Sequence, residues 1–243
     1  MISAPDYRPL AHSAAQAYRH VGRFAYGFAR GKLLGDPVFR FVLGNGYLSN
    51  AATILDLGCG QGVLAALIRA AQQRAQNAGW PIAWAVVPRA ENIIGIDLMA
   101  GDVERGRQAL GDAARFMQGD IASTPFPAAD SVVIFDVLHY LPYDKQERVL
   151  QAVRRALTTE GVLLLRIGNA SGGLRFMLSQ WVDRVVIWCR GHRLPRLYCR
   201  DLSAWEALLR QLGFAVKTEP MSEGTLFSNV LLIAMKRPDC SDD

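Results

Sequence analysis

Short apolar segments alternate with longer amphipathic ones from residue 53 onward. Segments of strand length lie at 53–57, 92–97, 114–120, 131–137 and 161–168. Apolar positions with helical spacing occupy 62–76, 102–110, 144–157 and 201–213. The last two segments, 214–221 and 225–236, can pair as an antiparallel hairpin. Because alternating strands and helices form a mainly parallel sheet with helices on both faces, the pattern predicts an α/β fold.

The first fifty residues have a helical pattern. The spacing of apolar positions predicts one helix from Ala14 to Ala29. Asp36 followed by Pro37 predicts a cap and the first turn of a short helix that ends near Gly44. We therefore divide the chain into a helical N-terminal segment, residues 1–50, and a main domain, residues 51–243.

Composition narrows the class of protein. The 243 residues are 51% hydrophobic and 20% charged, which suits one domain with a sizeable core and excludes a disordered chain. We find no secretory signal and no apolar run of membrane-spanning length, so we expect a cytoplasmic protein. The four cysteines and four histidines are scattered without ligand spacing, so the sequence predicts neither a metal centre nor a disulfide framework.

The net charge of +5 is concentrated in one segment. Residues 166–200 hold seven arginines and one acid, Asp183, whereas the remainder of the chain sums to −1. Within this segment, an apolar stripe that includes Trp181 follows helical spacing. We interpret residues 169–200 as a basic amphipathic insert, either a helical lid over the site or a surface for an anionic or amphipathic partner.

Several partners fit such an insert. They are a carrier-protein-linked or coenzyme A-linked acceptor, a carboxylated aromatic, and an anionic surface such as the inner face of a membrane, reached through 171–200. Nucleic acid is not expected, because the aromatic residues form an apolar stripe and no nucleic-acid module is present. Trp181, Arg190 and Arg193 are the candidate substrate residues of the insert.

A glycine-rich loop follows the first strand. Gly58, Gly60 and Gly62 stand where the chain leaves the strand for a helix, and open α/β sheets bind ligands at that edge. A dinucleotide fingerprint would require glycine at position 63, which is Val63. The spacing therefore favours a nucleoside without a pyrophosphate.

Acidic residues end the following strands. Asp97 ends the second strand, where a carboxylate can accept both hydroxyls of a ribose, and Asp120 ends the third, where it can accept from an adenine amine. Asp136 ends the fourth strand, with a turn cap as the alternative role. Four successive strands thus carry an acid, beginning with Asp56, to one edge of the sheet.

The segments DLGCGQG, IGIDLM, QGDI and IFDVLHYL together resemble the class I S-adenosylmethionine-dependent methyltransferases over residues 50–170. The resemblance implies a Rossmann-like seven-stranded sheet, mostly parallel with an antiparallel C-terminal strand, and S-adenosylmethionine (SAM) as cofactor. It also implies that the N-terminal segment folds over the cofactor as a lid. The interval from Asp56 to Asp97 is 41 positions, longer than usual in this family, and an insertion at 79–90 accounts for it.

The same resemblance implies roles for individual residues. Gly58 and Gly60 would lie under the methionine part of SAM, with Cys59 as a small filler between them. Asp56 would reach the amino group, Asp97 the ribose and Asp120 the adenine amine. The remaining implied cofactor residues are Leu98, Met99 and Ile121 around the adenine, Asp136 at the fourth strand end, and Arg30 or Lys32 at the cofactor carboxylate.

Candidate catalytic residues follow the fourth strand. His139 is the first candidate for a general base, with Tyr140 beside it, and Tyr143 would help to shape an acceptor pocket. Packing in the core is the alternative for each of them. The absence of an N-P-P-Y type strand end favours methylation of oxygen or carbon.

We therefore expect a methyltransferase acting on a phenolic, quinone-like, polyketide or acyl intermediate of pigment, lipid or secondary metabolism. The alternatives are a catalytically inactive SAM-binding regulatory protein and an NAD-linked oxidoreductase, the latter disfavoured by Val63.

Overall fold

The computed structural model describes residues 4–81, 83–168, 197–221 and 229–237. Within these ranges the helices are α1 Ala4–Gln16, α2 Arg23–Gly35, α3 Pro37–Gly44, α4 Val63–Gln76, α5 Ala100–Leu110, α6 Tyr143–Ala156 and α7 Leu202–Gln211. The strands are β1 Thr53–Leu57, β2 Asn92–Asp97, β3 Arg115–Gln118, β4 Ala129–Phe135, β5 Leu157–Gly168, β6 Phe214–Pro220 and β7 Asn229–Lys236. Short 3₁₀ turns lie at Gly111–Ala113 and Leu138–Tyr140. None of the described helices has the length and apolar character needed to cross a bilayer.

The strands form a single seven-stranded sheet in the order β3-β2-β1-β4-β5-β7-β6. Strands β1 to β5 pair in parallel, and β7 runs antiparallel between β5 and β6. The predicted α/β class, the mostly parallel sheet and the antiparallel C-terminal strand are confirmed.

Two hydrophobic cores lie on the two faces of the sheet. Alternate residues of β1, Ile54 and Leu55, enter different cores, as expected for a strand buried on both faces. One core receives α1 to α4, and the other receives α6 and α7. This arrangement confirms the prediction of helices on both faces.

The predicted helix from Ala14 to Ala29 is wrong. Helix α1 ends at Gln16 and α2 begins at Arg23, because the chain turns between them through Gly22, whose φ of 139° is a conformation that favours glycine. The short helix predicted after Asp36 is confirmed as α3, with the Asp36 carboxylate accepting a hydrogen bond from the Val38 N–H at 3.1 Å.

The N-terminal helices are built into the main core. Leu10, Tyr18 and Leu33 are fully buried in the same core as β1 and α4. The hydroxyl of Tyr18 donates to the carbonyl of Gln61 at 2.8 Å, and the Gln61 amide donates to the carbonyl of Ala25 at 2.8 Å. These contacts hold α1 and α2 against the glycine loop.

Both ends of the predicted basic segment belong to the folded core. Arg166, the first arginine of that segment, lies inside β5 and is almost completely buried, so its charge does not contribute to the basic surface of the insert. Arg200 precedes α7 and pairs with Glu147 at 2.6 Å. Residues 169–196 lie outside the described residues, and with them Trp181, Arg190 and Arg193.

Candidate active site

The glycine loop lies at the carboxyl edge of β1, and its three glycines all have positive φ. A Cβ at Gly58 would lie 2.2 Å from Val137 Cγ2, and one at Gly62 would lie 2.3 Å from Phe116 Cζ. A Cβ at Gly60 would have no neighbouring atom within 4 Å among the described residues. Packing therefore requires glycine at 58 and 62, whereas Gly60 borders open space into which a ligand can approach.

Asp97 supports this loop. One carboxylate oxygen accepts from the Gly60 N–H at 2.8 Å, and the other accepts from the Met99 N–H at 2.8 Å. The parallel register pairs Leu57 with Ile96, so the chain inserted between β1 and β2 does not displace Asp97 from the loop. The Asp97 carboxylate therefore lies beside the loop, where the sequence predicts that it accepts the ribose hydroxyls.

Asp56 gives the loop a buried acid. Burial raises the pKa of Asp56 to about 7, and the negative charge of Asp97 adds to the rise. Two carboxyl groups at this edge favour a ligand that carries positive charge. SAM carries a sulfonium and an ammonium group, so these residues fit that cofactor.

The predicted adenine residues lie at the neighbouring strand ends. The carbonyl of Asp97 accepts from the Gly119 N–H at 2.9 Å, which brings Asp120 close to Asp97, and one Asp120 oxygen accepts from the Ala122 N–H at 2.9 Å. Ile121 is buried, Met99 is half-buried, and Leu98 is 64% exposed. The fold therefore assembles this predicted set along one edge.

Cys59 is buried in the same loop. Burial raises the pKa of its thiol, and the negative charge of Asp56 adds to the rise. A Cβ at Gly95 would lie 2.7 Å from Cys59 Sγ, so glycine at 95 makes room for the sulfur. A protonated, tightly packed thiol is consistent with the filler role that the sequence suggested. We call the ends of β1 to β3 and this loop the glycine-loop half.

A group of four charges lies at the ends of β4 and β5, and we call it the charge cluster: Lys32, Asp36, Asp136 and Arg166. Arg166 contacts both carboxylates, with Nε donating to Asp136 Oδ1 at 2.8 Å, Nη2 donating to Asp136 Oδ2 and Nη1 donating to Asp36 Oδ1. Lys32 Nζ lies 2.8 Å from Asp36 Oδ2 and 3.6 Å from Asp136 Oδ2. Each acid thus faces both cations.

The cluster keeps its charges although it is largely buried. Burial alone would raise the pKa of Asp36 and of Asp136, but Arg166 and Lys32 lie close enough to lower both below the usual range. Burial would lower the pKa of Arg166, and the two carboxylates raise it instead. Asp136 also has a φ of 58°, uncommon for a residue other than glycine, and both its carboxylate and its backbone N–H bond to Arg166.

The structure therefore directs the Asp136 carboxylate to Arg166 and Lys32. Arg30, the other predicted partner of the cofactor carboxylate, is exposed on α2, and the assignment of Arg30 and Asp136 to the cofactor stays a prediction. Sequence reasoning missed Arg166 and Asp36 as site residues. A charged residue within the apolar run of β5 was the available signal, because a buried charge requires a partner.

The turn after β4 lies between the glycine loop and the charge cluster. Val137 packs against Gly58, and His139 follows two residues later. The Nε2 atom of His139 is buried and has no hydrogen-bond partner among the described residues. Burial lowers the pKa of His139, although the charge of Asp136 opposes the effect. The shift favours the uncharged imidazole.

Gln146, which the sequence did not single out, fixes this turn. Its buried amide donates to the carbonyls of Leu138, Leu141 and Tyr198, and the carbonyl of His139 accepts from the Tyr198 N–H at 2.8 Å. The His139 and Tyr140 rings lie 4.1 Å apart between centroids.

Tyr143 lies further out. It is 46% exposed, and its hydroxyl donates to the carbonyl of Cys199 at 3.2 Å. The guanidinium of Arg200 lies 4.8 Å from the centre of its ring. In the structure Tyr143 thus joins α6 to the segment before α7, and its role toward an acceptor stays a prediction.

Comparison with known proteins gives a family match. Residues 55–165 match a family model described as a methyltransferase domain. A sequence search of curated proteins gives no match.

Solved structures share the fold. A magnesium protoporphyrin IX methyltransferase from Synechocystis PCC 6803 with bound SAH is 19% identical, with a TM-score of 0.58 over 91% of this chain and 93% of that one. An O-methyltransferase family protein from Burkholderia thailandensis is 18% identical, with a TM-score of 0.63 over 94% of this chain and 64% of that one. Human N-acetylserotonin methyltransferase in complex with SAM is 18% identical, with a TM-score of 0.60 over 97% and 60%.

The present chain therefore spans under two thirds of the second and third of these proteins. Residues 55–165, a little under half of the chain, thus match a methyltransferase domain, and the described residues have the fold of these solved methyltransferases.

Proposed function

We propose that this protein transfers the methyl group of SAM to an oxygen or carbon of a small-molecule acceptor, at a site over the ends of β4 and β5. The observation that carries the proposal is His139, whose buried and unpartnered Nε2 stands on the turn that packs against the glycine loop. Small-molecule methyltransferases among the structural neighbours support the acceptor class.

SAM supplies a methyl group that is already activated on sulfur, so alignment and exclusion of water provide much of the rate enhancement. The residues of this chain have two tasks. The glycine loop and its acids hold the cofactor, and His139 accepts the proton that an acceptor hydroxyl gives up. Its lowered pKa favours the unprotonated imidazole, the form that a general base needs.

Phenolic, quinone-like, polyketide and acyl acceptors all present a suitable hydroxyl or acidic carbon. Within this proposal, Tyr140 contributes to the wall of the site beside His139. An anionic or carrier-linked acceptor would engage Arg190 and Arg193, which lie outside the described residues, so this part of the proposal rests on the sequence alone.

The test is incubation of the protein with isotopically labelled SAM and a panel of phenols, hydroxyquinones and acyl thioesters, with mass spectrometry to detect methylated products. We expect His139→Ala to lower turnover by about 10² to 10⁴-fold while the dissociation constant of SAM stays unchanged. His20→Ala is the matched control, because His20 is exposed and bonded to a backbone carbonyl of α5.

An unchanged rate in His139→Ala would remove the base from the proposal. Binding of SAM without transfer to any acceptor would favour the regulatory alternative. Binding of NADH without affinity for SAM would restore the oxidoreductase.

A further inference from the structure

Three consecutive residues shortly before α7 are bonded to the turn that carries His139 and to the start of α6. The Tyr198 N–H donates to the carbonyl of His139 at 2.8 Å, and the Tyr143 hydroxyl donates to the carbonyl of Cys199 at 3.2 Å. The guanidinium of Arg200 donates to the carbonyl of Tyr143 at 3.3 Å. The turn is therefore enclosed between α6 and a segment that lies 56 residues further along the chain.

The side chain of Gln146 lies at the centre of these contacts and is fully buried. Its Nε2 atom donates to the carbonyls of Leu138, Leu141 and Tyr198 at 3.1, 2.9 and 2.8 Å. The first two of these carbonyls flank His139 in sequence. Because a buried carbonyl without a hydrogen bond is costly, this one amide holds both ends of the turn against the segment before α7.

Arg200 determines which way the Gln146 amide faces. Its Nε atom donates to Gln146 Oε1 at 3.0 Å, and a guanidinium can only donate. The amide oxygen must therefore face Arg200, which leaves the amide NH2 group for the three carbonyls. Arg200 is itself held by Glu147 at 2.6 Å and lies 4.8 Å from the centre of the Tyr143 ring. The contacts thus run from the guanidinium through the amide to the turn that carries His139.

We propose that Gln146 and Arg200 are positioning residues, which hold the His139 imidazole where it can take the proton of the acceptor. The inference rests on the proposed function, because the two residues act only through the base. The Nε2 atom of His139 has no hydrogen-bond partner among the described residues, so no hydrogen bond at that atom anchors the ring. The position of the ring therefore depends on the backbone of the turn, which Gln146 and Tyr198 hold.

The first test compares turnover in single and double variants. Gln146→Met keeps the length of the side chain but removes the amide, and kcat should fall by about 10 to 100-fold with the KM of the acceptor little changed. In protein that already carries His139→Ala, the same substitution should lower kcat by less than about twofold, because the group that it positions is gone. An equal loss of kcat in both backgrounds would show a merely structural role and overturn the inference.

Arg200→Met is a milder variant, and it keeps the proposal testable if Gln146→Met does not fold. It leaves the amide in place but free to turn, so kcat should fall by about three- to tenfold when His139 is present and stay unchanged in His139→Ala. Glu147→Gln removes the charge that faces Arg200 but not the contact between Arg200 and Gln146, and it should keep the wild-type kcat.

Gln72→Met is the matched control for loss of a glutamine amide. Gln72 is a half-buried residue of α4 whose Nε2 atom donates to the carbonyls of Pro88 and Ala90 at 3.0 Å, and whose Oε1 atom accepts from Arg69 at 2.7 Å. These carbonyls precede β2, at the opposite edge of the sheet from the glycine loop. Gln72→Met should therefore lower the Tm, as Gln146→Met does, but leave kcat unchanged.

The surroundings of the ring can also be measured without turnover, by NMR titration of the histidine signals. The His139 signal is assigned from its absence in His139→Ala. Burial lowers the pKa of His139 in the wild type, and the charge of Asp136 opposes the effect. Gln146→Met should raise this pKa toward its ordinary value, because water enters the loosened turn. Gln72→Met should leave the pKa unchanged, and the charge cluster and Arg200 are intact in both variants.

An unchanged kcat in Gln146→Met, or an unchanged pKa of His139, would also overturn the inference. Failure of the proposed function has a different signature. In that case the pKa of His139 still rises in Gln146→Met, but no acceptor gains a methyl group in the wild type.

Discussion

The glycine-loop half of the site and the charge cluster are held together by different kinds of contact. In the first, the backbone N–H groups of Gly60 and Met99 donate to Asp97, a residue of the adjacent strand end. In the second, Asp36 and Arg166 meet across 130 residues of sequence, and the contacts are between side-chain charges. The first half thus depends on backbone shape, and the second on pairing of buried charges.

The difference also concerns what is left unpaired. The buried Nε2 atom of His139, on the turn that follows Asp136, has no hydrogen-bond partner among the described residues, whereas Asp97 and Asp120 accept backbone hydrogen bonds. Under the proposed function, the backbone of the glycine loop holds the cofactor, and side chains from distant parts of the chain lie at the acceptor side of the site. Three predictions test whether the glycine loop depends on backbone shape and the charge cluster on paired charges.

Removing the central cation should have the largest effect. Arg166→Met leaves Asp36 and Asp136 largely buried with only Lys32 to compensate, so the free energy of unfolding should fall by about 3 to 5 kcal/mol, measured by urea denaturation. Arg148→Met removes an exposed pair with Asp144 at 2.8 Å and should cost less than about 1 kcal/mol. A loss in Arg166→Met no larger than in Arg148→Met would show that the cluster does not stabilise the fold.

Two alanine substitutions should distinguish the role of Gly58 from that of Gly60. At both glycines a Cβ costs about 1 to 2 kcal/mol for the left-handed backbone, but only at Gly58 does it also meet Val137 at 2.2 Å. We expect Gly58→Ala to lower both the Tm and the affinity for SAM. Gly60→Ala should lower the affinity by at least about tenfold with a smaller loss of stability, because its Cβ enters the open space. Thermal denaturation measures the Tm, and calorimetry measures the affinity for SAM. Equal Tm values for Gly58→Ala and Gly60→Ala would contradict the packing role of Gly58.

The pH dependence of cofactor binding should give the smallest effect. Because the Asp56 pKa is about 7, the carboxyl group is mostly protonated at pH 6 and mostly ionised at pH 8, so affinity for the positively charged SAM should rise by up to about tenfold between them. Asp56→Asn should remove most of this dependence.

Stability should change in the opposite direction. Since the folded-state pKa of Asp56 lies above its unfolded value of 3.8, the folded protein holds the extra proton, and Asp56 reduces the free energy of unfolding as pH rises from about 4 to 7. Calorimetric titrations of SAM at pH 6, 7 and 8 test the predicted pH dependence of binding. An affinity for SAM that falls as pH rises would contradict that prediction.

The fold was predictable where the signal is local. The strand segments, the glycine loop and the acids at the strand ends each occupy a few consecutive residues, and parallel pairing then brings the strand ends to one edge. The break at Gly22 was missed because the apolar spacing continues across it, although the glycine itself was visible. Trp181, Arg190 and Arg193 were assigned by composition and lie outside the described residues.

Arg166 shows why the remainder could not be predicted. By composition it belongs with the arginines that follow it, but by register it pairs with Phe135 in the middle of the sheet. A charge there is stable only because Asp36 comes from the α2–α3 junction and Asp136 from the turn after β4. No local pattern connects these three positions.

The sequence by itself determined the α/β fold, the position of the glycine loop at one edge of the sheet and the acids that lie beside it. Hydrophobic periodicity and glycine act over a few residues, and the regular geometry of a parallel sheet extends their effect. Only the tertiary structure decided that Arg166 is buried and that both Asp136 and Asp36 pair with it. Those contacts depend on how the N-terminal helices pack against β4 and β5, and long-range packing leaves no spacing in the sequence from which to deduce it.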